Sequence, residues 1–156
     1  MPKSMNMGTL EAINTIGKAF IDLTAARDYQ HRKFPFPSTE IFSPDKPSFL
    51  VRWDGIAADE PTESDMITSP SMMRFAVRII NLYSYGPSGV TDAYVFAQNN
   101  IQKASALFHD ALAKNRHLND LVLDTGVESS IVGDLVDPTT EEVFYGHEQL
   151  LVVKLW

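Results

Sequence analysis

The chain has 156 residues, of which 44% are hydrophobic, and a formal net charge of −7. A chain of this length fits one domain that buries about 70% of its unfolded surface, so folding requires neither a disulfide nor a metal. The absence of cysteine excludes disulfides, thiolate catalysis and cysteine-ligated zinc. No apolar run approaches the about 18 residues of a membrane span, and the start lacks a signal-peptide core, so we expect folding in a cytoplasm.

The acidic residues are concentrated in two segments. Residues 117–153 contain eight acids and no Lys or Arg, and residues 54–65 contain five acids and no base. No basic stripe is present that could grip phosphates, which disfavours tight nucleic-acid binding. Two interpretations stay open: a solvated acidic surface, or a surface that repels DNA or meets a basic partner.

The first half of the chain predicts one helix and one strand, separated by a proline-rich segment. Apolar residues recur at helical spacing over 9–27, and Thr9 is a suitable N-cap. Four prolines in 34–48 predict an extended, turn-rich segment or an edge strand, because proline cannot donate to a central ladder. Residues 48–53 then predict a short strand, and the acidic, polar stretch 54–71 predicts a long exposed loop.

The middle of the chain predicts a strand followed by a long helix. Over 72–85, apolar side chains alternate with Arg74 and Arg78, as in a strand with one buried face. Residues 91–114 predict a helix that Thr91 can cap. Its expected buried stripe consists of Tyr94, Ala97, Ile101, Ala104, Phe108 and Ala111.

The last third of the chain predicts further strands. Residues 122–136 alternate, which places Leu123, Val127, Ile131 and Leu135 on one side and Asp124, Glu128 and Asp134 on the other. A short turn is expected at 118–121, and another is expected from Asp137 onward. Residues 143–145 and 149–155 complete the chain as strand, and because the last stretch is apolar on both faces it should be central or covered by a partner.

This order of elements predicts an α+β fold in a single domain covering 1–156. We expect an antiparallel β-sheet of about four to five strands, with the N-terminal helix and the one long helix packed on one face. The stretch 54–71 would leave this body as a long exposed acidic loop.

The most prominent catalytic pattern is Asp124-Thr125-Gly126, which is similar to the catalytic motif of retroviral-type aspartic proteases. In those enzymes two such aspartates share a proton and activate water. Only 30 residues follow Gly126, too few for the flap, return strands and closing helix of that fold. We therefore expect a structural role here, a strand with a local turn at this tripeptide.

Other catalytic and ligand-binding patterns are weak. The four histidines are His31, His109, His117 and His147, and no pair has the spacing of a helical metal site. Ser129 and Ser130 have no recognisable base near them in sequence, and Gly86–Gly89 is too short for a phosphate loop. The sequence thus predicts no catalytic residue, no metal and no cofactor, and the chain is not expected to be an enzyme.

The last half of the chain combines the strand 75–83, a Gly/Ser break, an alanine-containing helix, the Asn115-x-x-Leu118 turn and the apolar ending 145–155. Over roughly 73–156, this arrangement resembles the tail-terminator, or tail-completion, proteins of tailed bacteriophages.

The resemblance implies a structural virion protein of the tail or neck, assembled in the host cytoplasm. Members of that family form a ring, usually of six copies, that caps the tail tube and docks the head connector. Expected partners are therefore further copies of the chain, the tail tube protein and a head–tail connector or head-closure protein. DNA would pass without specific binding, and no membrane is involved.

Two residue sets follow from this expectation. Trp53 and Trp156 are either core residues with an exposed edge or interface residues. The full set of interface candidates is Trp53, Asp59, Glu60, Glu63, Asp65, Tyr85 and Trp156. The acids that could face a DNA channel are Asp120, Asp124, Glu128 and Asp134, since a like-charged lumen would let DNA slide without sticking.

Two other functions stay open. One is another phage neck, tube or head-closure subunit. The other is a non-viral dimeric α+β domain that binds a small ligand, which would need a concave pocket with convergent polar groups.

Overall fold

The computed structural model describes residues 7–24, 28–36, 41–57, 71–85 and 91–156, and these form two helices and one five-stranded sheet. The elements are α1 (Thr9–Asp22), β1 (Arg32–Lys33), β2 (Ser48–Ala57), β3 (Met72–Leu82), α2 (Ala93–Lys114), β4 (Asp124–Val136) and β5 (Val143–Lys154). The strand order is β1-β2-β3-β5-β4. Every neighbouring pair is antiparallel except β1 and β2, which are parallel, so the predicted α+β class is confirmed with a mixed sheet.

Both helices pack on the same face of the sheet, and the main core lies between them and the strands. Phe20 of α1, Phe49 of β2, Phe75 of β3 and Phe108 of α2 are fully buried there. Neighbouring rings are close, with centroids 5.6 Å apart for Phe20 and Phe75 and 5.1 Å apart for Phe49 and Phe108. Each such burial contributes about 1.5–3 kcal/mol, so these four rings are a large part of what fixes the helices on the sheet.

The helix starts differ from the sequence prediction. The N-cap of α1 is Gly8, which makes no side-chain cap bond, and Thr9 is the first helical residue. The N-cap of α2 is Asp92, whose carboxylate accepts a hydrogen bond from the backbone N–H of Val95 at 3.1 Å. Thr9 and Thr91 are therefore not the caps, and in α2 the stronger acceptor one residue later takes that role.

The alternation predicted for β3 is confirmed. Met73, Phe75, Val77 and Ile79 are fully buried under the helices. We call the opposite side of the sheet the open face. A second, smaller apolar cluster lies on it, made of Leu50, Ile80, Leu82 and Phe144, with Phe36, Phe42 and Leu135 packed against it. The predicted central position of the last strand is also confirmed, because β5 is paired on both sides, with β3 and β4.

The faces predicted for β4 are wrong. A register irregularity between Val127 and Ser129 leaves Glu128 as an extra residue in the ladder. Val127 pairs with Leu151 on the helix side, whereas Leu135 pairs with Phe144 on the open face. A β-bulge of this kind breaks the simple alternation, so the predicted apolar residues do not share a face.

Two predicted turns are confirmed and one is not. The segment after α2 turns at Leu118, Asn119 and Asp120, which all have positive φ, between 50° and 64°. Asn115 secures it, since its side-chain oxygen accepts from the backbone N–H of Asn119 at 2.8 Å. The predicted turn from Asp137 connects β4 to β5, whereas Asp124-Thr125-Gly126 is regular strand paired with 152–154.

The segment 54–71 is not a loop throughout. β2 continues to Ala57, with an irregularity between Trp53 and Ile56 where Gly55 has a φ of 107°. Residues 58–70 lie outside the described part of the chain. The interface candidates Asp59, Glu60, Glu63 and Asp65 belong to that stretch.

Candidate functional site

The most distinctive surface of the described chain is β4, which forms one edge of the sheet. It has 13 residues and pairs with β5 on one side, and no other described strand pairs with its outer side. Four of its apolar side chains are exposed: Val127 (45%), Ile131 (71%), Val132 (54%) and Val136 (62%). A long apolar edge strand of this kind is a template for pairing with another chain.

The edge strand is held in position by its hairpin with β5 and by one ion pair to β3. In the turn, the backbone N–H of Asp137 donates to the carbonyl of Glu142 at 2.9 Å. At the bulge, Arg74 donates through Nε to the carboxylate of Glu128 at 2.8 Å. The Arg74 guanidinium lowers the pKa of Glu128, chiefly through this hydrogen bond. The pair anchors the bulge on the open face, where Arg78 and Glu148 form a similar pair at 2.7 Å.

The four acids proposed to face a channel do not lie on one face. The carboxylate of Asp124 accepts two bonds from Arg116, at 3.0 and 2.7 Å, and Glu128 is paired with Arg74. Asp120 is exposed in the turn after α2. Asp134 pairs with Tyr145, which packs into the core on the helix side. The prediction that Asp124, Glu128 and Asp134 share one side of the strand is therefore wrong, and the bulge is the reason.

Three tyrosine rings form a cluster, two of which, Tyr83 and Tyr145, lie beside Asp134 of β4. The rings of Tyr83 and Tyr94 have centroids 5.1 Å apart, and those of Tyr94 and Tyr145 are 5.8 Å apart. Burial, together with the hydrogen bond to Asp134 and its charge, raises the pKa of Tyr83 to about 12. Tyr83 therefore stays protonated at neutral pH and connects the end of β3 to β4.

The aromatic interface candidates lie on separate elements. Trp53 is on β2, Tyr85 follows β3 and Trp156 follows β5. Their exposed fractions are 37%, 59% and 47%, so none of the three is a buried core residue. Their role in an interface stays a prediction.

A polar relay that sequence reasoning missed connects β4 to α2. The hydroxyl of Ser130 lies 2.6 Å from Nε2 of His147, and Nδ1 of His147 lies 2.9 Å from the hydroxyl of Ser105 on α2. Ser130 has no base near it in sequence, as stated above, but the fold brings His147 to it from 17 residues away. The hairpin turn at Asp137 was the available signal, because folding 124–136 back on 143–154 places positions 130 and 147 close together.

The relay lacks two features of a serine hydrolase site. Its third member is a hydroxyl where a carboxylate normally orients the imidazole. Neither Ser130 nor His147 lines any of four concavities that the described residues form. The arrangement acts as a cross-link between the edge strand and the long helix.

Protonation of His147 should oppose folding. Burial, with a smaller contribution from the charge of His109, lowers the pKa of His147 below its usual 6.5. The unfolded chain therefore binds the proton more readily than the folded chain. The contribution of neutral His147 to the free energy of unfolding is fully present above its ordinary pKa of 6.5, and it is lost as the pH falls through the pKa of the folded state. We expect an NMR titration of His147 to show a midpoint below 6.5.

The same effect should appear in urea unfolding between pH 7.5 and 5.5. The protein should lose stability on acidification, and His147→Gln should lose less, because the titrating group is gone. A midpoint at or above the ordinary histidine value, or an unchanged pH slope in His147→Gln, would contradict this account.

A concavity on the open face of the described chain has a volume of about 550 Å³. Its walls include Phe36, Phe42, Leu50, Ile80, Leu135 and Phe144, with Arg78 as a charged group. The Phe36 ring lies between the guanidinium groups of Arg52 and Arg78, whose central carbons are 5.1 and 5.2 Å from its centroid. The volume is within the range of small-ligand pockets.

Within the described ranges, no group of three or more His, Cys, Asp or Glu side chains is placed to hold a metal ion. Neither helix of the described chain has the length and apolar character needed to cross a membrane. No family model matches this chain, and no curated protein matches it either.

Proposed function

We propose that this chain is a structural subunit that assembles with further copies of itself into a ring. The virion role that best fits is a tail terminator or tail-completion subunit, which closes the head-proximal end of a phage tail and joins it to the head connector. The ring size expected from the resemblance is six. The partners in that role are the tail tube protein and the head-closure or connector protein.

The observation that carries the proposal is the exposed edge of β4. In a monomer, this strand of 13 residues has one edge without a partner among the described strands, and Ile131 on it is 71% exposed. Such an edge exposes unpaired backbone groups and apolar side chains to water. Natural sheet proteins usually protect such edges with charges, bulges, prolines or a covering element. β4 has a bulge at Glu128 and acids at Asp124 and Asp134, but residues 129–133 carry no charge. A second chain lying along β4 would satisfy its backbone groups and bury its apolar side chains.

The charge of the chain is compatible with passage of DNA through such a ring. Residues 117–153 contain eight acids and no base, although Arg116 and Arg74 neutralise Asp124 and Glu128 locally. The acids that would contribute most to a repulsive lumen are then Asp120 and Asp134 with those of the β4–β5 turn. In this proposal, DNA meets an acidic surface that does not bind it.

Mass measurement in solution tests the proposal directly. Light scattering coupled to gel filtration, over protein concentrations of about 1–200 μM, covers the range in which interfaces of standard size assemble. We expect a closed oligomer whose electron micrographs show rings. A chain that stays monomeric throughout this range would overturn the proposal.

The concavity on the open face supports a second candidate, a dimeric α+β domain that binds a small apolar ligand. Its apolar walls, with the charged side chains of Arg78, Asp137 and Glu142 among them, fit the general chemistry of ligand pockets. A stable dimer that carries a co-purified small molecule in native mass spectrometry would favour this candidate. An empty ring would favour the structural subunit, whether a tail terminator or another neck or tube component.

A further inference from the structure

The two outermost strands of the described sheet carry formal charges of opposite sign. β1 consists of Arg32 and Lys33, whereas β4 contains three acids and no base. Two of these acids are paired with Arg74 and Arg116, which leaves Asp134 and the acids of the β4–β5 turn to set the charge of this edge. The two edges of one sheet therefore differ in sign of charge.

The same two edges run in opposite directions. β1 is parallel to β2, and each step from β2 through β3 and β5 to β4 is antiparallel. β4 therefore runs opposite to β1. When two copies lie side by side in the same orientation, β4 of one copy is antiparallel to β1 of the next.

We propose that copies associate head to tail, with the outer edge of β4 against the β1 edge of the next copy. This inference rests on the proposed function, since it names the surfaces that the ring would use. The contact brings the exposed Lys33 towards the acidic strand and its turn. The Arg32 side chain is bonded to Thr24 and Ile21 in its own chain and adds its charge to that edge from there. Opposite charges across the contact steer the approach and fix the register.

The alternative contact, β4 against β4 of a second copy, is disfavoured by charge. It would bring two identical acidic edges together, and like charges facing each other across paired strands are destabilising. It would also be isologous and would end at two copies, whereas a head-to-tail contact continues until it closes into a ring. Edge charge and ring formation thus favour the same contact.

Disulfide cross-linking between introduced cysteines tests this contact. The chain has no cysteine of its own, so the introduced cysteines are the only thiols. One variant carries Lys33→Cys. A second set carries one cysteine each at positions 129 to 136, including Ile131→Cys. Each member of the set is mixed with the Lys33→Cys chain and oxidised, because a disulfide forms only where Cβ atoms come within about 4.5 Å.

The expected result is a disulfide dimer in the mixture for at least one position of the scan, and no dimer from either chain alone. A matched control replaces the scan chain by Leu10→Cys, whose side chain is as exposed as Ile131, at 71%, but lies on α1. This control should give no dimer. A dimer formed by a β4 cysteine chain alone would show the isologous contact and overturn the inference.

The failure of this inference can be told apart from the failure of the proposed function. The oxidation is done at a concentration where the unmodified chain is oligomeric by light scattering. Oligomers without a cross-link between position 33 and any position of the scan would overturn the head-to-tail contact and leave the ring subunit standing. A chain that forms no oligomer would overturn the proposed function itself.

Discussion

Replacing Phe75 by Ala should lower the free energy of unfolding by about 3–5 kcal/mol, the usual cost of removing a buried aromatic ring. Phe75 is fully buried on β3. Its ring contacts those of Phe20 and Phe34, at centroid distances of 5.6 and 6.3 Å. The substitution would therefore open a cavity where α1 and the segment after β1 meet the sheet. Urea unfolding followed by tryptophan fluorescence measures the change.

Tyr85→Ala is the matched control for this prediction. It also removes an aromatic ring, but Tyr85 is 59% exposed, so the free energy of unfolding should change by less than about 0.5 kcal/mol. If Phe75→Ala cost no more than Tyr85→Ala, the assignment of Phe75 to the core between α1 and the sheet would be wrong.

The double variant Ile131→Lys with Val132→Lys should weaken self-association by about 2 kcal/mol or more, the level of an interface hot spot and about 30-fold in affinity. The two side chains lie on opposite faces of β4, because Ile131 pairs with Glu148 and Val132 with His147. Lysines at both positions would put a cation on each face of the edge, a device by which natural edge strands avoid pairing. The concentration midpoint of assembly, measured by light scattering, gives the change.

Leu10→Lys combined with Val95→Lys provides the control with equal added charge. Leu10 and Val95 are exposed apolar residues of α1 and α2, at 71% and 45%, away from β4. The control should assemble as the unmodified chain does. Equal loss of assembly in both double variants would mean that net charge, rather than the β4 edge, governs association. Circular dichroism of both should match the unmodified chain.

The parts of the fold that the sequence predicted are those where local periodicity is unbroken. In β3, the alternation of apolar residues with Arg74 and Arg78 corresponds to two real faces. In β5, apolar character on both faces correctly indicated a central strand. Period-two patterns are reliable when every residue has one partner in the ladder.

The errors arise where a distant contact decides the local structure. Nothing in the sequence around Glu128 marks a bulge, because its partner Arg74 is 54 residues away. The two-residue strand β1 is too short for periodicity to detect. It is positioned by Arg32, which donates to the hydroxyl of Thr24 at 3.0 Å and to the carbonyl of Ile21 at 3.3 Å. Such pairings depend on the tertiary fold and are invisible to single-segment reasoning.

The sequence predicted a self-association surface but not the residues now proposed to form it. Composition indicated acidic segments, the motifs gave no catalytic pattern, and the resemblance to tail-terminator proteins added the expectation of self-assembly. The residues on which the argument now rests are Ile131 and Val132 of the edge strand, and neither was among the interface candidates predicted from the sequence. Edge position is a property of strand order, which depends on long-range pairing rather than on the composition of the strand.

The bulge at Glu128 has a consequence for how this gene can change in length. Val127 and Ser129 already face opposite sides of the sheet and pair with the consecutive residues Leu151 and Leu150. A deletion of the single codon for Glu128 would therefore join two halves whose side-chain directions agree. Deleting any one codon from 130 to 135 would instead turn every side chain on one side of the deletion to the opposite face of the sheet. We expect natural one-residue gaps in this strand to occur at position 128.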